Sequence, residues 1–216
     1  MSVIEAIAEE DGVVLPLGED YPELRDAVRA ICEKYPSSYW RKMEDDDAYP
    51  EDFVRELTES GFLAALIPEE YGGSGLPLRA GAVILETIHE TGCNAGACHA
   101  QMYIMGTLLR HGSEAQKQQY LPKIATGEQI WTLALTEPTA RFDAEGVELE
   151  AKADGDNFVL NGTKLWITNG QEAGLFIVMA TVDPEAGYRG ITAFVVERDR
   201  PGFQVGKKED KLGIRA

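Results

Sequence analysis

Two short segments in the second half of the chain combine residue types that could do chemistry. The first, LALTEPTARFD, follows an apolar run and offers the Thr136 hydroxyl and backbone N–H groups at the end of a predicted strand. Such groups can hydrogen-bond a planar heteroaromatic ring without adding charge. The second, KLWITNG, has Trp166 and Thr168 two residues apart, on one side of a predicted strand. An indole can lie against a flat cofactor while a nearby hydroxyl bonds a ring atom.

Other interpretations of these and similar motifs are structural. Tryptophan is common in sheets, so spacing alone favours a core Trp166 beside a surface Thr168. The glycine-rich YGGSGLP lacks the Lys-Ser/Thr pair and the strand–helix setting of a phosphate-binding loop, and we predict an ordinary loop. Cys93, Cys98 and His99 are too few and wrongly spaced for a structural zinc site, so we predict no metal.

Composition and charge narrow the classes of function. The chain has 216 residues, with 37 acidic and 20 basic side chains and a formal net charge of −17. This charge argues against general nucleic-acid binding, because phosphate backbones are bound by basic surfaces. Three irregularly spaced cysteines argue against a disulfide framework, and no apolar run approaches a membrane span. The opening MSVIEAIAEEDG lacks the features of a signal or transit peptide, and we expect a cytoplasmic protein.

The elements that must position the two segments change character near residue 130. Before it, apolar residues recur every three or four positions from Leu24 to Tyr35, which predicts a helix closed by Pro36. Further helices are predicted at residues 50–61, 83–92 and 94–109, and from an N-cap at Ser113 to a stop at Pro122. The third of these is apolar nearly all round, which indicates a central position in the helical half.

After residue 127 the apolar spacing falls to two, which is typical of strands. Strands are predicted at WTLALT, at residues 147–151, at FVLNGTKLW, at LFIVMAT and at ITAFVV. Within FVLNGTKLW, Asn161-Gly162 predicts a type I′ hairpin. The expected fold is α+β, with an all-α helical domain over residues 1–128 and an antiparallel β-barrel-like domain over residues 129–216.

Several motifs, in order along nearly the whole chain, resemble those of the flavin-dependent acyl-CoA dehydrogenases. In the β half they are ALTEPTARFDAEG, GDNFVLNGTKLWITNG and KKEDKLGIRA. In the helical half they are IPEEYGGSGLP and HGSEAQKQQYLPKIATGE. The stretch GLFIVMATVDPEAGYRGITAFVVERD is similar to short-chain and branched-chain members. Several motifs together are far more specific than any one of them.

The resemblance implies a reaction and a set of site residues. Members oxidise the Cα–Cβ bond of a fatty acyl-CoA thioester: a carboxylate removes the α proton, and the β hydrogen passes as hydride to N5 of FAD. An electron-transfer flavoprotein or a similar acceptor then takes the electrons, and the complete enzymes form homo-tetramers. The implied flavin-contacting residues are Leu133, Leu135, Thr136, Trp166, Ile167 and Thr168. The implied substrate-binding residues are Cys98, His99, Met102, Met105, Arg141 and Phe142.

Two features depart from the family pattern. Members carry Gly-Ser in Glu-Pro-x-x-Gly-Ser-Asp, where this sequence has Arg141-Phe142, so a permissive glycine and a hydroxyl donor are replaced. The Arg141 guanidinium could donate two hydrogen bonds to phosphate oxygens, but disturbance of the loop is the favoured interpretation. No glutamate matches the catalytic-base motif, so we expect that base in a C-terminal helical bundle outside this sequence. The chain is then part of a longer dehydrogenase, a chain that a partner completes, or a non-catalytic homologue that binds a partner through an open sheet edge.

Overall fold

The computed structural model describes residues 20–215, which form a helical half followed by a half built on one sheet. The predicted α+β class is confirmed. The opening twelve residues, which entered the prediction of a cytoplasmic location, lie outside the described residues. Within the described range, no helix is both long enough and apolar enough to span a membrane.

The helical half of the described chain contains six α-helices. They are α1 (Pro22–Cys32), α2 (Ser37–Asp45), α3 (Glu51–Glu59), α4 (Leu78–Glu90), α5 (Gly96–His111) and α6 (Glu114–Ala125). The predicted loop between α3 and α4 carries two 3₁₀ turns, Phe62–Ala64 and Glu69–Tyr71. Helix α2 was not predicted, because its sequence SSYWRKMED is largely polar and buries only Trp40.

The two ends of α6 test predictions that rested on single residues. Ser113 is the N-cap: its hydroxyl accepts from the Gln116 N–H, and the Gln116 side chain accepts from the Ser113 N–H. These reciprocal bonds form a capping box. The predicted stop at Pro122 is wrong, because α6 continues to Ala125. Proline cannot donate within the helix, but its carbonyl still accepts from the Thr126 N–H at 3.1 Å and closes the last turn.

Apolar burial holds the helices together. Phe53 of α3 is fully buried and makes edge-on ring contacts with Tyr35 and Trp40, at centroid distances of 5.1 and 5.0 Å. Helix α5 packs against α4, α6 and the first strand of the sheet half, with Cys98 and Met105 fully buried. Its all-round apolar sequence therefore corresponds to the central position that was predicted.

The strands of the sheet half are β1 (Trp131–Ala134), β2 (Glu150–Asp154), β3 (Asn157–Asn161), β4 (Leu175–Thr181) and β5 (Ile191–Glu197). Their order is β1-β4-β2-β3, and β5 also pairs with β4. The β2–β3 and β4–β5 pairs are antiparallel, as predicted, whereas β1–β4 and β2–β4 are parallel. The sheet is therefore mixed. Alternation of apolar residues shows which face is buried, but it carries no information on strand direction.

The hairpin lies earlier in the chain than predicted. Strands β2 and β3 are joined at Gly155-Asp156, where Gly155 has φ 59°. The predicted turn at Asn161-Gly162 is wrong, because β3 ends there and residues 162–174 contain no strand. Instead, this segment uses its backbone to contact the end of β1: the Leu165 N–H donates to the Thr136 carbonyl at 2.8 Å.

Strand β4 joins the two halves, because both of its faces are covered. Leu175 and Ile177 pack into the helical core, while Phe176 and Val178 pack into a second, smaller core. This explains the unbroken apolar run LFIVMAT. The first strand meets the helices as well, since the ring of Trp131 in β1 lies 4.9 Å from that of Tyr120 in α6.

Candidate functional site

The turn after β1 is closed by its own backbone. Glu137 and Arg141 exchange two backbone hydrogen bonds of 2.9 and 2.8 Å around Pro138. Arg141 has φ 57°, in the left-handed region that favours glycine. The side chains of Arg141 and Phe142 face solvent, and Phe142 is 82% exposed. The turn thus keeps a glycine-like backbone without a glycine, and the strain is local.

A buried ion pair lies directly beneath this turn. Lys164 Nζ is 2.7 Å from Glu137 Oε1, and their side chains are only 8% and 4% exposed. The Glu137 carboxylate also accepts from the N–H groups of Glu148 and Leu149, at 2.8 and 2.9 Å. Burial raises the pKa of Glu137, but these bonds outweigh it and hold the pKa below its ordinary value. For Lys164, burial dominates over the attraction of Glu137 and lowers the pKa.

Three further hydrogen bonds tie the end of β1 to the KLWITNG segment. Lys164 Nζ donates to the Leu135 carbonyl at 2.9 Å, and the Leu165 N–H donates to the Thr136 carbonyl at 2.8 Å. The Thr132 hydroxyl donates to the Thr168 carbonyl at 2.5 Å. The two segments predicted to contact a cofactor therefore lie side by side.

Trp166 is not in a strand, and the predicted strand geometry for Trp166 and Thr168 is wrong. Its backbone is left-handed, with φ 57°, and 67% of the residue is exposed. The alternative of a core tryptophan is excluded by this exposure. Ile167 points the other way, is half-buried and packs against the second core, while Thr168 is exposed. A left-handed residue breaks the period of two on which the prediction depended.

The next residue, Asn169, anchors the segment to the helical half. Its backbone is also left-handed, with φ 57°, and its side-chain amide donates to the Ala97 carbonyl of α5 at 3.1 Å. Asparagine tolerates this conformation better than most residues do. The position of Trp166 is therefore fixed from two directions, by the β1 contacts and by α5.

The four candidate substrate residues of α5 do not share one face. Cys98, Met102 and Met105 lie in the helical core, whereas His99 is exposed and its ring is 5.1 Å from that of Tyr103. Burial raises the pKa of the Cys98 thiol to about 12, so this thiol stays protonated. Of the four, only His99 presents its side chain to solvent.

These residues fit a planar heteroaromatic cofactor. The exposed indole of Trp166 provides a flat apolar surface, and the Thr168 hydroxyl lies on the same loop. Leu133, Leu135 and Thr136 are half-buried at the adjoining end of β1. Among residues 20–215, no group of three or more His, Cys, Asp or Glu side chains is placed to hold a metal ion.

Sequence reasoning missed three residues that build this arrangement: Glu137, Lys164 and Asn169. All three lie inside the quoted motifs, next to the residues that were selected. The available signals were a carboxylate, Glu137, directly after the predicted strand that ends at Thr136, and a lysine, Lys164, directly before the apolar pair Leu165-Trp166. The pairing itself could not be predicted, because the two residues are 27 positions apart.

Comparison with known proteins decides the family. Residues 18–128 match the model described as "Acyl-CoA dehydrogenase, N-terminal domain", and residues 132–216 match "Acyl-CoA dehydrogenase, middle domain". The chain belongs to the acyl-CoA dehydrogenase family. It is similar to "Probable acyl-CoA dehydrogenase FadE25" of Mycobacterium tuberculosis, with 41% identity over 201 residues that cover 92% of this chain and 51% of the relative.

Two further family relatives carry more specific names. Mitochondrial isovaleryl-CoA dehydrogenase of Pongo abelii is 38% identical over 213 residues, or 95% of this chain and 50% of the relative. A glutaryl-CoA dehydrogenase from Mycobacterium smegmatis, solved in complex with FADH2, has a TM-score of 0.81 at 28% identity and matches 92% of this chain and 50% of its own. The chain thus spans about half the length of the curated relatives it matches. Acyl-CoA dehydrogenase relatives are FAD-dependent.

Proposed function

We propose that this acyl-CoA dehydrogenase family member is the FAD-binding N-terminal and middle portion of an enzyme that forms the α,β double bond of a fatty acyl-CoA thioester. The observation that carries the proposal is the exposed indole of Trp166, held beside the end of β1 by the hydrogen bonds from Leu165 to Thr136 and from Thr132 to Thr168. An aromatic side chain that is held rigidly and left uncovered is suited to stacking on a planar ring.

FAD, when bound, supplies the hydride acceptor for the β hydrogen of the substrate. The residues of this chain bind and orient its ring system. Trp166 would hold the ring by stacking and the Thr168 hydroxyl would hydrogen-bond it, while Ile167 fixes the loop through the second core. At the end of β1, the backbone of Leu133 and Leu135 and the Thr136 residue supply hydrogen-bonding groups.

We assign the acyl chain to the helical half, along α5. His99 and Tyr103 are accessible there, and Cys98, Met102 and Met105 act from the core by fixing the position of the helix. On the turn after β1, the exposed guanidinium of Arg141 is the candidate contact for the phosphates of CoA or FAD, and the exposed ring of Phe142 is a candidate apolar contact for the substrate.

A carboxylate must accept the α proton, and none of the residues assigned here has that role. We propose that it comes from the part of the relatives that this chain does not span, and that the complete enzyme is a homo-tetramer served by an electron-transfer flavoprotein or a similar acceptor. We also propose that the protein is cytoplasmic, because its three cysteines are free and buried, as in reducing compartments.

The test is a titration of FAD with the purified chain, followed by flavin fluorescence and by retention of flavin absorbance on gel filtration. We expect saturable binding. Trp166→Ala should weaken it about tenfold, because a stacked aromatic contributes on the order of 1 kcal/mol beyond its buried area.

Phe158→Ala is the matched control, since Phe158 is another half-exposed aromatic residue of the sheet half, at 50%, but lies in β3 outside the two segments. It should bind FAD as the wild type does. A wild-type chain that retains no FAD, or equal affinities for the two variants, would overturn the proposal.

A further inference from the structure

Lys164 and Glu137 are buried charges with no assigned role in the proposed chemistry. Their side chains are 8% and 4% exposed, and each belongs to one of the two segments proposed to hold the flavin ring. Burying two charges is expensive, and an apolar pair of similar volume often packs equally well or better. A purely structural role therefore leaves the choice of residues unexplained, and the contacts of the lysine indicate what the charge does.

The Lys164 ammonium has two acceptors, the Glu137 carboxylate at 2.7 Å and the Leu135 carbonyl at 2.9 Å. The second contact is the informative one, because it brings a positive charge onto a backbone carbonyl in a buried setting. That carbonyl and the Thr136 N–H belong to one and the same peptide group. A cation on the oxygen draws electron density from the amide nitrogen and makes its N–H a stronger donor.

We propose that Lys164, held in place by Glu137, is a positioning residue that polarises the Leu135–Thr136 peptide toward the bound flavin ring. The inference rests on the proposed function, because the ring is the acceptor that the strengthened Thr136 N–H serves. The contact also fixes the orientation of the peptide, since the lysine cannot leave the carbonyl without losing one of its acceptors.

The surroundings leave this lysine little freedom. Its partner Glu137 is held by the N–H groups of Glu148 and Leu149, so the carboxylate cannot follow a displaced ammonium. On the other side, the Leu165 N–H bonds the Thr136 carbonyl at 2.8 Å. The peptide groups before and after the α-carbon of Thr136 are therefore both held by consecutive residues of one segment.

The test compares Lys164→Met with Lys152→Met in the full chain. Both changes remove one lysine charge from an ion pair of the sheet half, but Lys152 is exposed, with Glu150 as its partner at 3.2 Å. The double variant Glu137→Gln/Lys164→Met guards against misfolding, because it leaves no unpaired buried charge. Unfolding midpoints of all variants are measured first.

Two readouts separate positioning from stability. In flavin-free protein, the amide proton of Thr136 should move upfield in both variants that lack Lys164 and stay in place in Lys152→Met. In the FAD titration, the same two variants should bind FAD about tenfold or more weakly, with a shifted visible flavin spectrum, as expected on losing a charge-assisted hydrogen bond.

The outcomes distinguish the two proposals. A wild-type chain that takes up no FAD overturns the proposed function and, with it, the flavin role of Lys164. Normal uptake by the wild type, with an unmoved Thr136 amide and equal FAD affinity in the folded double variant, overturns the positioning role alone. A shifted amide with weakened FAD binding in the double variant supports it.

Discussion

The two halves of the molecule are held together by different physical means. In the helical half, large apolar side chains such as Phe53, Leu57 and Ile84 are fully buried. Its buried guanidinium, Arg25, pairs with carboxylates that lie at the surface. The smaller core of the sheet half includes several alanines, and beneath its loops lies the buried pair of Glu137 and Lys164. Apolar packing thus shapes the scaffold, whereas directional polar contacts shape the proposed site.

The largest effect should come from the apolar scaffold. Phe53→Ala deletes a fully buried ring that contacts Tyr35 and Trp40, and should lower the free energy of unfolding by about 3–5 kcal/mol. Phe158→Ala removes the same side chain from the sheet half, where it is half exposed and its ring lies 5.2 Å from that of Phe194, and should cost about 1 kcal/mol.

Urea unfolding followed by circular dichroism measures both changes on one scale. Equal losses in the two variants would show that the sheet half depends on apolar packing as strongly as the helical half does. The difference in packing between the two halves would then not correspond to a difference in how much buried rings contribute to the free energy of unfolding.

The helical half and the sheet half also differ in how much of their structure could be predicted from the sequence. Most of the helices follow from apolar spacing, because burial on one face leaves a period in the sequence. Helix α2 escapes this rule, since it buries only Trp40. In the sheet half, the positions of β1, β4 and β5 could be predicted, but not their directions, because parallel and antiparallel strands can show the same alternation.

The candidate site shows more clearly which features the sequence could not predict. The two segments that hold Thr136 and Trp166 could be selected from their residue types and motifs. The outward turn of Trp166 could not, because a left-handed backbone at a non-glycine residue leaves no periodic signal. The pairing of Glu137 with Lys164 was also hidden, since charged residues are expected at the surface unless a partner, here 27 positions away, accompanies them.

An effect of intermediate size on the free energy of unfolding should appear at acid pH, when Glu137 becomes protonated. The pKa of Glu137 is lowered in the folded chain from its usual value of 4.5: burial raises it, and the bonds from Lys164 and two backbone N–H groups overcome that effect. The stability that this carboxylate contributes, about 2 kcal/mol, is therefore present above pH of roughly 4.5 and is lost as the pH falls through the folded-state pKa.

Unfolding free energy measured against pH checks this prediction with Glu137→Gln. The variant should be less stable than the wild type at neutral pH, and the difference should shrink as the pH falls below about 4. Glu145→Gln, an exposed position in the same loop, is the control and should follow the wild-type curve. A constant difference between Glu137→Gln and the wild type across the acid range would contradict an ionised, hydrogen-bonded Glu137.

The smallest effect concerns the strained turn. Arg141 has φ 57°, which costs a non-glycine residue about 1–2 kcal/mol, and Arg141→Gly removes that strain. The added freedom of glycine in the unfolded chain takes back about 0.4–1 kcal/mol, so a net gain of about 0.5 kcal/mol is expected in urea unfolding. Phe142→Ser, at an 82% exposed position, should leave the free energy of unfolding unchanged.

The double variant Arg141→Gly/Phe142→Ser should also bind FAD or CoA more tightly than the wild type in a titration. Weaker binding would instead mean that the Arg141 guanidinium holds a phosphate, and that this turn is adapted rather than damaged.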